Sequence, residues 1–182
     1  MTDTEGRPLS KGSKPNIMRE IRIEKVVVNI GAGEGGDRLN KARTILKRIT
    51  SAEPVLTKAR KTIRELNVRE REEIGTKVTL RGGAAETLLR GAFAAVNNTI
   101  KESSFDRAGN ISFGISEYIF LPGVKYDPEL GIFGLDVCLR LARPGLRVTR
   151  RKIRPGRVPR RHLVTPEEGA QFLRERFGVR VV

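Results

Sequence analysis

Cysteine and histidine are nearly missing from this chain: its 182 residues hold one of each, Cys138 and His162, and no tryptophan. A lone cysteine cannot close an intramolecular disulfide, which fits a reducing cytoplasm. A His/Cys zinc site draws on several such ligands, more than this chain owns. Nucleophilic triads need a base, and His162 sits among arginines, where a solvated or phosphate-adjacent role is the simpler account. No catalytic residue, metal site or cofactor site is therefore expected. Long apolar runs are also missing. None approaches the ~20 residues of a membrane span. The opening MTDTEGRPLSKGSKPN lacks the apolar centre of a secretory signal. No membrane partner is expected.

The most informative absence is of negative charge. From Val137 to Pro166 there is no carboxylate, while arginine stands at 140, 143, 147, 150, 151, 154, 157, 160 and 161, with Lys152 among them. A folded protein rarely carries so one-signed a stretch unless a polyanion neutralises it. Arginine dominance points to phosphate, because a planar guanidinium engages two oxygens at once. The whole chain agrees: 36 Lys plus Arg against 21 Asp plus Glu leave a net charge of +15. That balance is the footprint of a nucleic-acid binder. Hydrophobic residues at 38 % are enough for a core.

Residues 1–15 read as a flexible arm ending at Pro15. Ile21 to Ile30, rich in β-branched residues, predicts a strand. The GAGEGGD turn follows, with Asp37 as N-cap of a helix that Pro54 ends; Leu39, Ala42, Ile45, Leu46 and Ile49 share its apolar face. Val55 to Arg81 predicts extended structure interrupted by the charged loop Arg69 to Glu73. A second helix is expected from Ala84 to Ile100, then strands at Asn110–Phe120 and Ile132–Ala142. Pro or Gly at 144, 145, 155, 156 and 159 argues against a continuous helix in the basic stretch. That stretch reads as an extended arm ordered by its ligand. Thr165-Pro166-Glu167-Glu168 then supplies a cap, a first-position proline and a capping box for a last helix ending at Gly178.

The expectation is an α+β, two-layer domain with helices on one face of a mainly antiparallel sheet, plus the basic arm and the C-terminal helix. Its divisions are 1–15, a flexible arm; 16–143, an RNA-binding domain; and 144–182, the basic arm and a helix packed on that domain. Strand alternation assigns the two sheet faces. Lys25 and Asn29, then Lys77, Thr79 and Arg81, then Asn110, Ser112, Gly114 and Ser116, and finally Asp136, Cys138 and Arg140 oppose the apolar set. Small polar side chains with a few cations suit a folded RNA read through phosphates and 2′-hydroxyls. With aromatics at 5 %, stacking of unpaired bases on sheet rings is disfavoured.

Gly31-Ala32-Gly33-Glu34-Gly35-Gly36 matches GxGxxG, but only one strand–helix unit is legible and acids flank the turn, so a tight turn explains the glycines. Arg81-Gly82-Gly83 stands alone and reads as a turn plus a cation. Cys138 alternates with apolar residues and reads as a small packed side chain. Glu70, Glu72 and Glu73 interleave with Arg69 and Arg71, as an exposed loop does.

Together, Asn16-Ile17-Met18 leading into IRIEKVVVNIGAGEGGDRLNKA, then PVLTKARKTIRELNVRE, IGTKVTLRG and GNISFGISEYIFLPGVKYDPELGIFGLDV, resemble one family over residues 16 to about 180. It is the universal 5S-rRNA-binding family numbered five of the large ribosomal subunit. RPGLRVTRRKI and the helix after it resemble its archaeal and eukaryotic branch. The resemblance implies a non-enzymatic constituent of the cytoplasmic ribosome, acting in translation. It would bind 5S rRNA in the central protuberance and lie beside large-subunit rRNA and other large-subunit proteins. It would also contact peptidyl-site tRNA through a projecting loop and bridge to a small-subunit head protein.

Carried over by position, the tRNA-facing loop is Ala59 to Arg69, with Arg60, Lys61, Arg64 and Arg69. The rRNA-binding candidates are Asn29, Lys77, Thr79, Arg81, Asn110 and Arg140 on the sheet, with Arg147, Arg150, Arg151, Lys152 and Arg154 in the arm. The alternative is a DNA-binding chromatin or regulatory protein, against which stands the lack of a helix-turn-helix or a basic recognition helix.

Overall fold

The run RIEKVVVNIG forms β1 (Arg22–Gly31), the middle strand of a five-stranded sheet. The computed structural model describes residues 16–33 and 35–182, so the expected arm of residues 1–15 lies outside the described residues. On one side of β1 lie β3 (Glu73–Leu80) and then β2 (Val55–Lys58). On the other lie β6 (Leu135–Ala142) and then β5 (Ile111–Ile115). All four pairings are antiparallel. A two-stranded parallel pair, β4 (Thr99–Ile100) with β7 (Arg180–Val181), ties the chain end to the body.

Three helices cover one face of the sheet. They are α1 (Asp37–Thr50), α2 (Gly82–Ala95) and α3 (Pro166–Phe177). Each turns a helical stripe inward: Leu39, Ala42, Ile45 and Leu46; Ala85, Leu89, Ala92 and Phe93; Leu173. All of these but Leu39 meet Val26, Val28, Ile30, Val78, Leu80, Val137, Leu139 and Leu141 in one core. Phe93 links the layers, stacking on Phe113 of β5 at 5.4 Å and meeting Phe177 of α3 edge-on at 5.3 Å. The few aromatics are thus spent largely on packing, as the absence of rings on the open face requires. Among the described residues no helix is long and apolar enough to cross a membrane.

The expected fold class holds: a mainly antiparallel sheet with helices on one face. Several boundaries shift. Gly36, not Asp37, is the N-cap of α1, and Asp37 opens the helix as a first-turn acid. That helix stops before Pro54, because Ser51 turns left-handed and its N–H closes onto Lys47 O. α2 ends at Ala95, where Asn97 and Asn98 adopt positive φ. Ile100 is buried as expected, but in β4 rather than in a helix. Strands predicted to Phe120 and from Ile132 are shorter, since Tyr118–Phe120 forms a 3-10 turn and β6 starts at Leu135.

The start of α3 follows its sequence signature closely. Thr165 Oγ1 accepts from Glu168 N, Glu168 Oε2 accepts from Thr165 N, and Pro166 is the first residue. The other oxygen of Glu168 lies 2.6 Å from Arg143 Nη2, so one carboxylate both caps α3 and holds the end of β6. Gly109 lets the helix approach: at φ +66°, a Cβ there would sit 2.8 Å from Val164 Cγ1.

Candidate nucleic-acid interface

The registers of the sheet set its outer face in rows. One row reads Val55, Lys77, Asn29, Asp136, Gly114 across β2, β3, β1, β6 and β5. The next reads Thr79, Val27, Cys138, Ser112. In the third, Lys25 pairs with Arg140; Arg81, extended one residue beyond β3, and Asn110, one residue before β5, prolong it on either side. Charge therefore grades along the strands. Arg81, Lys25 and Arg140 mark one end, small side chains fill the middle, and Asp136 shares the far side with Lys77 and glycines. Neighbouring strands lie ~4.8 Å apart, so a backbone laid across the face meets polar groups on most strands, with Val55, Val27 and Gly114 between them. Lys25, Val27, Ser112, Cys138, Arg140 and Asn110 line a shallow depression of about 270 Å³.

Among the sheet residues predicted to bind RNA, Lys77, Thr79 and Arg81 are exposed, and Asn29 and Arg140 half-buried. Asn110 is half-buried too, its Nδ2 donating to Asp106 Oδ2 at 3.2 Å. Cys138 is not the packed side chain expected of it: it is exposed on this face, because its strand position points away from the core. Partial desolvation and then the Asp136 charge push its thiol above the ordinary range, so it stays protonated.

Glu24 escapes the alternation. Register slips between Ile23 and Lys25, so Glu24 is the extra residue of a β-bulge. Two adjacent charged residues inside an apolar strand are the available signal, because strict alternation would bury one of them. Arg140 Nε lies 2.9 Å from Glu24 Oε2 without the alignment of a hydrogen bond, and Arg150 Nη1 closes on Oε1. Burial pushes the Glu24 carboxyl up. The Arg150 hydrogen bond and the charges of Arg140, Arg150 and Lys25 outweigh it, so the group stays below the usual range.

The basic stretch is not the extended arm expected. Pro and Gly do bar a helix, but 3-10 turns at Leu146–Thr149 and Arg160–His162 bracket a closed loop. Gly156 N donates to Val148 O at 3.1 Å, an approach so close that a Cβ on Gly156 would meet Val148 Cγ1 at 2.9 Å. His162 Nε2 lies 2.8 Å from Pro144 O, which can only accept, so the imidazole donates and ties the two ends of the segment. That is a structural role, where solvation or phosphate was expected. Arg143, with its side chain 10 % exposed, bonds Glu168 and faces the carbonyls of Arg161 and Leu163. Carboxylates from elsewhere in the chain thus engage Arg140, Arg143 and Arg150.

Arg147, Arg151, Lys152 and Arg154 are exposed, with no carboxylate partner among the described residues. Arg151 Nε donates to Arg154 O at 2.6 Å, which fixes its direction. With Arg150 and the exposed Ile153, three of them (Arg147, Arg151 and Lys152) line a concavity of about 480 Å³.

At the opposite end of the sheet, the β2–β3 connection is an ordered hairpin. Ala59 N donates to Glu72 O, and Ile63 and Val68 exchange hydrogen bonds of 2.9 and 3.1 Å. A 3-10 turn at Arg64–Leu66 makes the tip, and Asn67 closes it at φ +52°. Arg60, Lys61, Arg64 and Arg69 are all exposed on it. The glycine turn after β1 is closed instead: Ala32 and Gly33 both donate to Ile74 O, leaving no phosphate cradle at those two amides. No cluster of His, Cys, Asp or Glu suited to a metal occurs among the described residues.

Comparison with known proteins gives the frame for this surface. Residues 16–69 match the family model described as ribosomal protein L5, and residues 73–172 match the model for the C-terminus of the same ribosomal family. The boundary falls in the β2–β3 hairpin, so both matched parts contribute strands to one sheet. The large ribosomal subunit protein uL5 of the archaeon Sulfurisphaera tokodaii is 52 % identical over 168 residues, covering 92 % of this chain and 95 % of its own. That of Sulfolobus acidocaldarius is 48 % identical over 174 residues, covering 96 % and 98 %. That of Pyrobaculum aerophilum is 51 % identical, covering 92 % and 94 %.

Proposed function

Since the chain belongs to the ribosomal protein L5 family, in its archaeal form, we propose that its open sheet face and basic loop hold 5S rRNA in the central protuberance of the large subunit. It is a ribosomal protein of the large subunit rather than an enzyme, and it works in the cytoplasmic ribosome. In this reading residues 16–143 form the RNA-binding body, with 144–182 as a basic arm and helix packed on it. Cations at one end of the face and in the loop neutralise phosphates, while Asn29, Thr79 and Asn110 meet sugar and base edges. The hairpin of Arg60, Lys61, Arg64 and Arg69 projects from the other end and reaches peptidyl-site tRNA. Large-subunit rRNA, other large-subunit proteins and a small-subunit head protein complete its neighbours.

The single observation that carries the reading is the placement of cations that have no carboxylate partner among the described residues beside an open, ring-poor sheet face. Such a face suits folded RNA held by shape and charge more than single strands. Competition tests it. Labelled 5S rRNA bound to the chain at physiological salt should survive excess duplex DNA and yield to unlabelled 5S rRNA. Equal displacement by both would favour the DNA-binding alternative.

A further inference from the structure

Glu24 is the carboxylate that two of the predicted RNA-binding arginines share, and it belongs to neither of their elements. Arg140 comes from β6 and Arg150 from the basic loop; both converge on one bulged residue of β1. Its side chain is only 19 % exposed, and Lys25 stands next to it. A half-buried carboxylate among cations takes the place that a phosphate would hold. We propose that Glu24 is a specificity-determining counter-ion: it withholds Arg140 and Arg150 from arbitrary polyanions and fixes the loop against the sheet for a matched RNA.

Arginines already engaged contribute little to indiscriminate attraction, whereas those without a carboxylate partner contribute fully. On an arbitrary duplex, removing Glu24 releases two cations. On the matched RNA, the same change loosens the loop, and the lost preorganisation offsets the gain in charge. Discrimination falls in consequence. This rests on the basic loop and sheet face binding 5S rRNA.

The test uses the full chain and Glu24→Gln, which keeps shape and removes charge, with 5S rRNA and a random duplex DNA as probes. Duplex affinity should rise about fivefold, the weight of roughly one exposed ion pair. Its log K against log salt should steepen by ~0.9 for each arginine released. Affinity for 5S rRNA should change less than twofold. An unchanged or improved preference for 5S rRNA overturns the proposal. If wild type itself shows no preference, the RNA reading fails first, and separately.

Arg150→Gln against Arg151→Gln gives a second reading that does not require the Glu24 variant to fold. The duplex slope should hardly move for the first and flatten by ~0.9 for the second. Equal flattening means that Glu24 withholds nothing.

Discussion

Glu24 and Lys25 are neighbours in a strand where strict alternation would force one of them into the core. The bulge resolves that conflict, and the resulting ion pairs make Glu24 sensitive to acid. Because its carboxyl lies below the ordinary value near 4.5, its ionised form stabilises the fold at neutral pH. That contribution is present above the unfolded value and is lost as pH falls through the folded one. Thermal unfolding should therefore show wild type ahead of Glu24→Gln at pH 7, with the gap closing below about pH 4.5. A gap that widens in acid would reverse the sign.

Lys77 and Arg81 carry the opposite expectation, since both are exposed without a carboxylate partner among the described residues. Lys77→Ala with Arg81→Ala should leave stability within about 0.5 kcal/mol while flattening the 5S salt slope by ~0.7–0.9 per cation. Unaltered RNA affinity would return this face to ordinary solvated surface. Alternation locates both residues from the sequence. It cannot reveal that Arg143 is a buried clamp, because its carboxylate, Glu168, is distant in the chain.

Among the elements, α3 is the most legible, because its cap, proline and terminal glycine are local chemistry. Thr165→Ala should cost about 1 kcal/mol, and Leu173→Ala, which empties a fully buried site, about 2–5 kcal/mol. Chemical denaturation with circular dichroism checks both; a Leu173 variant as stable as Thr165→Ala would mean that α3 is not docked on the core. The end of α2 misleads for a physical reason: Ile100 keeps helical spacing, yet parallel pairing with Val181, 81 residues on, decides its conformation. The basic stretch likewise reads as extended and is not. Its closure depends on Pro144 meeting His162 and Val148 meeting Gly156, pairings that periodicity does not encode. The β2–β3 hairpin makes a separable prediction. Arg60, Lys61, Arg64 and Arg69 changed together to Ala should weaken tRNA binding to reconstituted subunits and leave 5S rRNA binding within about twofold. Joint loss of both activities would deny the hairpin its own role.

For the molecule as a whole, the strand order places the basic loop and the hairpin at opposite ends of one sheet, with the polar face between. One chain can thus hold one RNA along its face and loop while presenting four cations elsewhere. A count of 36 Lys plus Arg overstates the grip, since Glu24 and Glu168 already occupy three of the arginines. The most direct measurement is the salt dependence of 5S rRNA affinity for the intact chain and for a variant with Arg147, Arg151, Lys152 and Arg154 changed to Gln. The variant should fold normally and lose about 3 from the slope, four contacts at ~0.7–0.9 each. Coincident slopes would contradict the account, because the loop would then touch water rather than RNA.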